Sequence, residues 1–189
     1  MRVRSYAKIN WSLRITGKRG DGYHDLETIF QLISLHDTMT FERAGRMALT
    51  CDDPTIPLDQ SNLVWKAAAA LWKVLGRAGD PTDTIVAIEK NVPLEAGLGG
   101  GSADAAASLL ALARLWGGAP LALLGEVASG IGSHVPFFLS GGTALGLGRG
   151  EEIYPLVDLP GHWVVLVRPA FGVSTREAYS WYDEDRAAG

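Results

Sequence analysis

From Val3 to Thr16 the apolar residues Val3, Ala7, Ile9, Trp11, Leu13 and Ile15 fall on odd positions, and Arg4, Lys8, Asn10, Ser12, Arg14 and Thr16 on even ones. A period of two predicts a half-buried strand with Lys8 and Asn10 side by side on its polar face. Gly17 to Gly22 reads as a loop, residues 28–35 and 38–43 as strands joined by a turn at His36-Asp37, and Met47 to Cys51 as a further short strand. Ser61 or Asn62 can cap a helix whose stripe of Leu63, Ala67, Ala70, Leu71 and Val74 runs to about Leu75, stopped by Gly76 or Gly79.

Residues 83–91 are rich in β-branched side chains and predict a strand, which Pro93 ends by removing a ladder donor. Ser102 opens a second helix through Trp116, closed by Gly117-Gly118, and Pro120 suits the first turn of a third reaching about Ser129. Short strands follow at 143–147 and 152–156, then a fully apolar strand at 162–168, then a last helix capped by Ser174 or Thr175 and running to about Asp183. There is no internal repeat and no linker-like tract. The order predicts one α+β domain, with a final helix that has little to pack on.

Composition narrows the class. Of 189 residues, 47% are hydrophobic and 20% charged, enough apolar surface for a core and too little charge for a disordered chain. The most apolar stretch, Ser102 to Gly130, is broken by Asp104, Arg114, Gly117-Gly118 and Glu126, short of the roughly 20 apolar residues a bilayer crossing takes, so no membrane partner is expected. The N-terminus has no apolar run of the kind that marks a secretion signal. Cys51 is the only cysteine, which excludes an internal disulfide and a multi-cysteine metal site and makes a cytoplasmic setting the expectation.

The net charge is −4, but residues 1–20 carry six cations and no acid. A small cationic surface on an acidic chain suits a small anionic ligand; a nucleic acid would meet repulsion beyond that footprint, so none is expected as a partner. Glycine is concentrated as well: Gly97, Gly99, Gly100 and Gly101 form one cluster, and a second spans Gly130 to Gly150.

The first cluster lies between the strand at 83–91 and an alanine-rich helix. Free N–H groups at a helix start, with glycines that let the backbone curl, bind phosphate oxygens without a side-chain cation, and Ser102 adds a hydroxyl. The loop is not a Walker loop, since no Lys ends it, and not a dinucleotide fingerprint, since the third glycine position is Ser102.

Pro93 to Ala107 resembles the signature of the GHMP kinase superfamily. Ala7-Lys8-Ile9-Asn10-Trp11-Ser12-Leu13, Asp21-Gly22-Tyr23-His24, Val135-Pro136-Phe137-Phe138, Gly141-Gly142-Thr143-Ala144 and Gly148-Arg149-Gly150-Glu151 agree with one of its members, so the resemblance spans nearly the whole chain. It implies the superfamily's N-terminal domain, a ribosomal-protein-like α+β fold with a mixed sheet and helices on one side, over residues 1–170. Residues 171–189 would begin a C-terminal region whose further domain is not in this sequence.

The implied reaction moves the γ-phosphoryl of ATP to a hydroxyl of a small molecule, here the 2-hydroxyl of a cytidine-diphosphate-linked methylerythritol (CDP-methylerythritol); Mg²⁺ is expected with ATP, its ligands unassigned. The resemblance places ATP phosphates on Gly97, Leu98, Gly99, Gly100, Gly101 and Ser102, after Pro93. Asn62, Lys90 and Asp104 would stand near the nucleoside, Tyr23 and His24 at the cytidine, Lys8 at the reacting hydroxyl, and Asn10 beside it to orient the substrate. His134 stands where the family carries Asp, the proposed base. A neutral imidazole can accept that proton, though without a negative charge to pair with Lys8.

Overall fold

A computed structural model describes residues 1–169 and 171–188. The expected end of the first domain, residue 170, and the final residue, 189, lie outside the described residues. Two long strands, β1 (Arg2–Lys18) and β2 (His24–Arg43), pair antiparallel along their whole length, from Arg2 opposite Thr40 to Lys18 opposite His24. On its other edge β2 takes two partners in succession. β4 (Thr84–Glu89) pairs with residues 38–43 and β5 (Thr143–Leu147) with residues 28–31, both antiparallel. β3 (Ala48–Cys51) joins β4 in parallel and β6 (Glu152–Pro155) joins β5 antiparallel, completing a mixed six-stranded sheet.

The expected turn at His36-Asp37 does not exist; the chain runs straight through it. Asp37 is fully buried, and its carboxylate is taken by the backbone N–H groups of Asn91 (2.6 Å) and Val92 (2.8 Å). An Asp satisfied by distant donors has no need of the local hydrogen bond that makes it a turn former. The register shifts just before this point, where the two steps from Tyr6 to Lys8 in β1 span the four from His36 to Leu32 in β2.

The helices cover one face of the sheet: α1 (Leu63–Val74), α2 (Gly100–Trp116), α3 (Leu121–Ile131) and the short α4 (Val135–Ser140). Alternate sheet residues Met39 and Phe41, and Val86 and Ile88, meet Leu71 of α1 with Leu109 and Leu112 of α2 in a single core. Of the two expected caps, Ser61 and Asn62, it is Asn62 that caps α1, accepting from the Val64 N–H at 2.8 Å. The buried stripe is turned slightly from the expected one, with Val64, Ala68 and Trp72 inside and Val74 43% exposed.

Several elements differ from expectation. α2 starts at Gly100, ahead of Ser102, because Gly99 in the left-handed conformation (φ 72°) ends the loop early. α4 is not among the expected elements, because six residues beginning Val-Pro-Phe are too few to show a period. Residues 162–168 form no strand, and Trp163, Val165 and Val167 are exposed, because no neighbouring strand offers this segment a ladder among the described residues. On β1, Trp11 and Leu13 are exposed rather than buried, and the supposedly polar side supplies buried Lys8. α5 (Thr175–Ala188) opens with a reciprocal cap, in which the Ser174 hydroxyl accepts from the Glu177 N–H at 3.2 Å and donates to the Glu177 carboxylate at 2.7 Å. Contrary to expectation, this helix does pack, through Tyr179 and Asp183 on His24.

Candidate functional site

The site forms where the loop from β4 to α2 crosses β1. At the exit of β4, Asp52 accepts the Lys90 N–H (2.8 Å) and Asp37 those of Asn91 and Val92, so the loop leaves from a fixed point. It then lies along β1 at Lys8, whose backbone N–H donates to the Leu98 carbonyl (2.9 Å) and whose ammonium donates to that of Gly97 (2.6 Å). At Gly99 a Cβ would stand 2.7 Å from the Phe138 ring and 3.3 Å from the Lys8 side chain, which excludes any larger residue. The first helical bond of α2 is donated by Ala103 to Gly99 (2.9 Å), and no side chain caps the helix. The N–H groups of Gly100, Gly101 and Ser102 therefore point out of the helix start with the positive end of its dipole.

Lys8 is 4% exposed, and among the described residues its ammonium pairs with no carboxylate. Its ammonium donates to Asn10 Oδ1 at 2.5 Å, and Asn10 is held in turn by donating to Thr28 Oγ1 at 2.5 Å. Burial lowers the Lys8 pKa to about 8. The ammonium stands 5.6 Å from the centre of the Phe30 ring, and the His134 imidazole meets the same ring edge-on at 5.4 Å. Lys8, Phe30 and His134 thus form a row, with His134 at the start of α4. Gly150 closes against that imidazole, since a Cβ there would come within 2.9 Å of it. Burial first, and the Lys8 charge second, push the His134 pKa down to about 4, so its ring is neutral at pH 7.

The remaining predicted residues divide. Asn62 stands next to the loop, because its neighbour Leu63 lies 3.8 Å from the space beside Gly101. Pro93 is half-buried in the segment leading to the glycines. Lys90 and Asp104 are brought together, but beneath the loop rather than facing a ligand. The ammonium pairs with Asp104 at 2.9 Å and with Asp37, and the Lys90 and Asp104 side chains are 5% exposed. Tyr23 is exposed, with the Arg149 guanidinium 5.0 Å from its ring. His24 is covered by α5: Tyr179 stacks on it at 4.9 Å, Tyr182 meets it edge-on at 6.1 Å, and its Nε2 lies 2.8 Å from Asp183. Asp183 also pairs with Lys18 at 2.6 Å.

Sequence reasoning missed Phe30, Tyr179 and Asp183. Phe30 looks like any strand aromatic. The helical spacing of Tyr179, Tyr182 and Asp183, which puts all three on one face, was the available signal for the others. Among the described residues no group of three His, Cys, Asp or Glu could hold a metal ion, and no helix is long and apolar enough to cross a membrane.

Residues 62–142 match the family described as GHMP kinases N terminal domain. The 4-diphosphocytidyl-2-C-methyl-D-erythritol kinase of Salinispora tropica is 47% identical over all of this chain, which covers 61% of that protein; its counterpart from Moorella thermoacetica is 45% identical over 95% of this chain and 62% of its own length. This chain therefore spans about three fifths of the length of these curated relatives. A crystal structure of 4-(cytidine 5'-diphospho)-2C-methyl-D-erythritol kinase superposes with a TM-score of 0.69 at 37% identity, over 82% of this chain and 55% of that one. The mevalonate kinase of Methanococcus jannaschii, at 12% identity and a TM-score of 0.60 over 85% of this chain and 56% of that one, shares the fold. The match over residues 62–142 and the shared fold make this chain similar to the N-terminal domain of the GHMP kinases.

Proposed function

We propose that this domain binds ATP on the glycine loop and serves transfer of its γ-phosphoryl to the 2-hydroxyl of 4-diphosphocytidyl-2-C-methyl-D-erythritol, in isoprenoid biosynthesis. The observation that carries the reading is the meeting of uncapped α2 with an ammonium that lacks a carboxylate, Lys8 donating to Gly97 at 2.6 Å. A triphosphate supplies the anion that both lack. The N–H groups of Gly100 to Ser102 would hold phosphate oxygens, and Lys8 would turn to the transferring phosphoryl as charge builds on it. Mg²⁺ would arrive on the nucleotide; no side chain is assigned to it.

In the transfer, the substrate hydroxyl oxygen bonds to the γ-phosphorus, the bond from that phosphorus to the β,γ-bridging oxygen breaks, and ADP leaves. The hydroxyl proton would pass to the His134 imidazole, neutral at pH 7 and placed with Lys8 around Phe30. A base whose conjugate acid is disfavoured by burial and by Lys8 accepts that proton reluctantly. Asn10, fixed by Thr28, would orient the hydroxyl. Tyr23 and the stacked His24 and Tyr179 offer flat faces suited to a pyrimidine.

The weak base also favours a second reading, a domain that binds nucleotide without transferring phosphate. Thermal-shift titrations with ATP and Mg²⁺, and separately with the cytidine substrate, followed by a coupled ADP-release assay, separate the two. Stabilisation by both ligands with ADP release supports the kinase; stabilisation by ATP alone with no ADP supports the binding module; no stabilisation by either defeats both.

A further inference from the structure

Beneath the glycine loop lies a cluster whose charges do not balance. Lys90, from the end of β4, sits between the carboxylates of Asp37 from β2 and Asp104 from the first turns of α2, and Ser5 of β1 adds its hydroxyl beside Asp104. One cation thus serves two buried acids. The acids are unequally provided for. Asp37 accepts from two backbone N–H groups through one oxygen and from Lys90 through the other. Asp104 accepts from Lys90 through Oδ2; its Oδ1 and the Ser5 hydroxyl are both buried without a well-formed hydrogen bond among the described residues, and the nearby Ser5 hydroxyl, like Lys90, pulls the carboxyl toward its ionised form. The Lys90 ammonium lies 3.4 Å from where a Cβ of Gly100 would stand, so the cluster sits directly under the N–H groups of the loop.

We propose that Asp104 takes up a proton on Oδ1 when a nucleoside triphosphate settles on the glycine loop, so that nucleotide binding is proton-linked through a carboxyl that never touches the nucleotide. The inference rests on the proposed ATP site. A polyanion one helical turn above a surplus buried carboxylate raises the cost of keeping that carboxylate ionised, and protonation removes the surplus, leaving Lys90 paired with Asp37. Burial and the Asp37 charge already lift the Asp104 pKa to about 6 against the pull of Lys90, so a further rise carries it toward neutral pH. The proton comes from the buffer, with no other bond made or broken. Asp104 is a positioning residue in this scheme.

Isothermal titration of the wild type and Asp104→Asn with ATP and saturating Mg²⁺, in two non-phosphate buffers of unlike ionisation enthalpy, counts the protons. At pH 6.5 the wild type is expected to take up a fraction of a proton more than the variant, and the nucleotide's own ionisation cancels between the two. Wild-type affinity is expected to weaken several-fold from pH 6 to 7.5 while the variant's changes less; Lys8 contributes its uptake near pH 8 in both. An infrared difference spectrum of the wild type on ATP binding supplies a readout that needs no variant, a protonated carboxyl C=O band gained as a carboxylate band is lost. Equal proton counts, or no such band, overturn the inference while leaving ATP binding intact; absence of ATP binding overturns the site and the inference with it.

Discussion

Two lysine side chains lie buried against the glycine loop, and their surroundings set them to opposite tasks. Lys90 has two carboxylates, and together they outweigh the burial that would depress its pKa and hold it above the ordinary lysine value. Lys8 has none among the described residues, and burial alone takes it down to about 8. The first ties β2, the end of β4 and α2 together, with one acid more than its charge balances. The second is left short of an anion at the surface where one would arrive. A buried cation with its counter-charges in place serves the fold, whereas one without them is available to a ligand at some cost in stability.

Removing each ammonium is the sharpest way to break this contrast. Lys90→Met leaves Asp37 and Asp104 buried without their cation and is expected to cost about 3–5 kcal/mol in urea unfolding, enough to unfold a marginal domain. Lys8→Met should leave unfolding free energy unchanged or higher while weakening ATP binding by about ten- to a hundredfold in titration, the worth of a charge-assisted hydrogen bond. Equal losses of stability from the two would erase the distinction.

His134→Asp places a carboxylate opposite Lys8 and is expected to raise ADP release on the order of tenfold or more where the substrate hydroxyl is present, since the accepting group then carries the negative charge that pairs with Lys8 and with the proton it takes. No gain would remove His134 from the base position. pH gives a smaller, graded effect. The folded Lys8 pKa lies below its unfolded value, so its charged form is disfavoured by folding: its contribution to stability rises as pH climbs from about 8 toward 10.5, while ATP affinity falls over the same range as the ammonium is lost. Titrating wild type against Lys8→Met at several pH values would show both trends; parallel curves would argue against them. Smallest is Asn62→Ala, expected to cost about 1 kcal/mol through the lost cap on the Val64 N–H, read as a lowered melting temperature.

What the sequence made visible were features whose causes are local. A period of two put Lys8 beside Asn10, and Ser61 or Asn62 ahead of an apolar stripe marked a cap, which Asn62 forms; a run of glycines before alanines marked a helix start, expected at Ser102 and found at Gly100. What it hid were pairings across long separations. Nothing near Asp37 in the chain says that its donors lie more than fifty residues away at Asn91 and Val92, so it resembled a turn. Lys90 and Asp104 had the right residue types to face a nucleoside, yet their mutual pairing turns them inward. Residues 162–168 have strand composition, but composition does not provide a neighbour to pair with. The cover over His24 depends on where a distant helix docks, which its own spacing suggests only once the docking surface is known.

The interrupted edge of β2 has one further consequence. β4 ends its pairing at Thr38 and β5 ends its own at Gln31, and the interval between them receives the incoming Asn91 and Val92 amides and the Gly142 carbonyl in place of a strand. The exit of the glycine loop is therefore a seam that two short neighbours fail to close. Lengthening either by a few well-paired residues would mend the ladder, gain rigidity, and seal off the ground on which the phosphate loop stands.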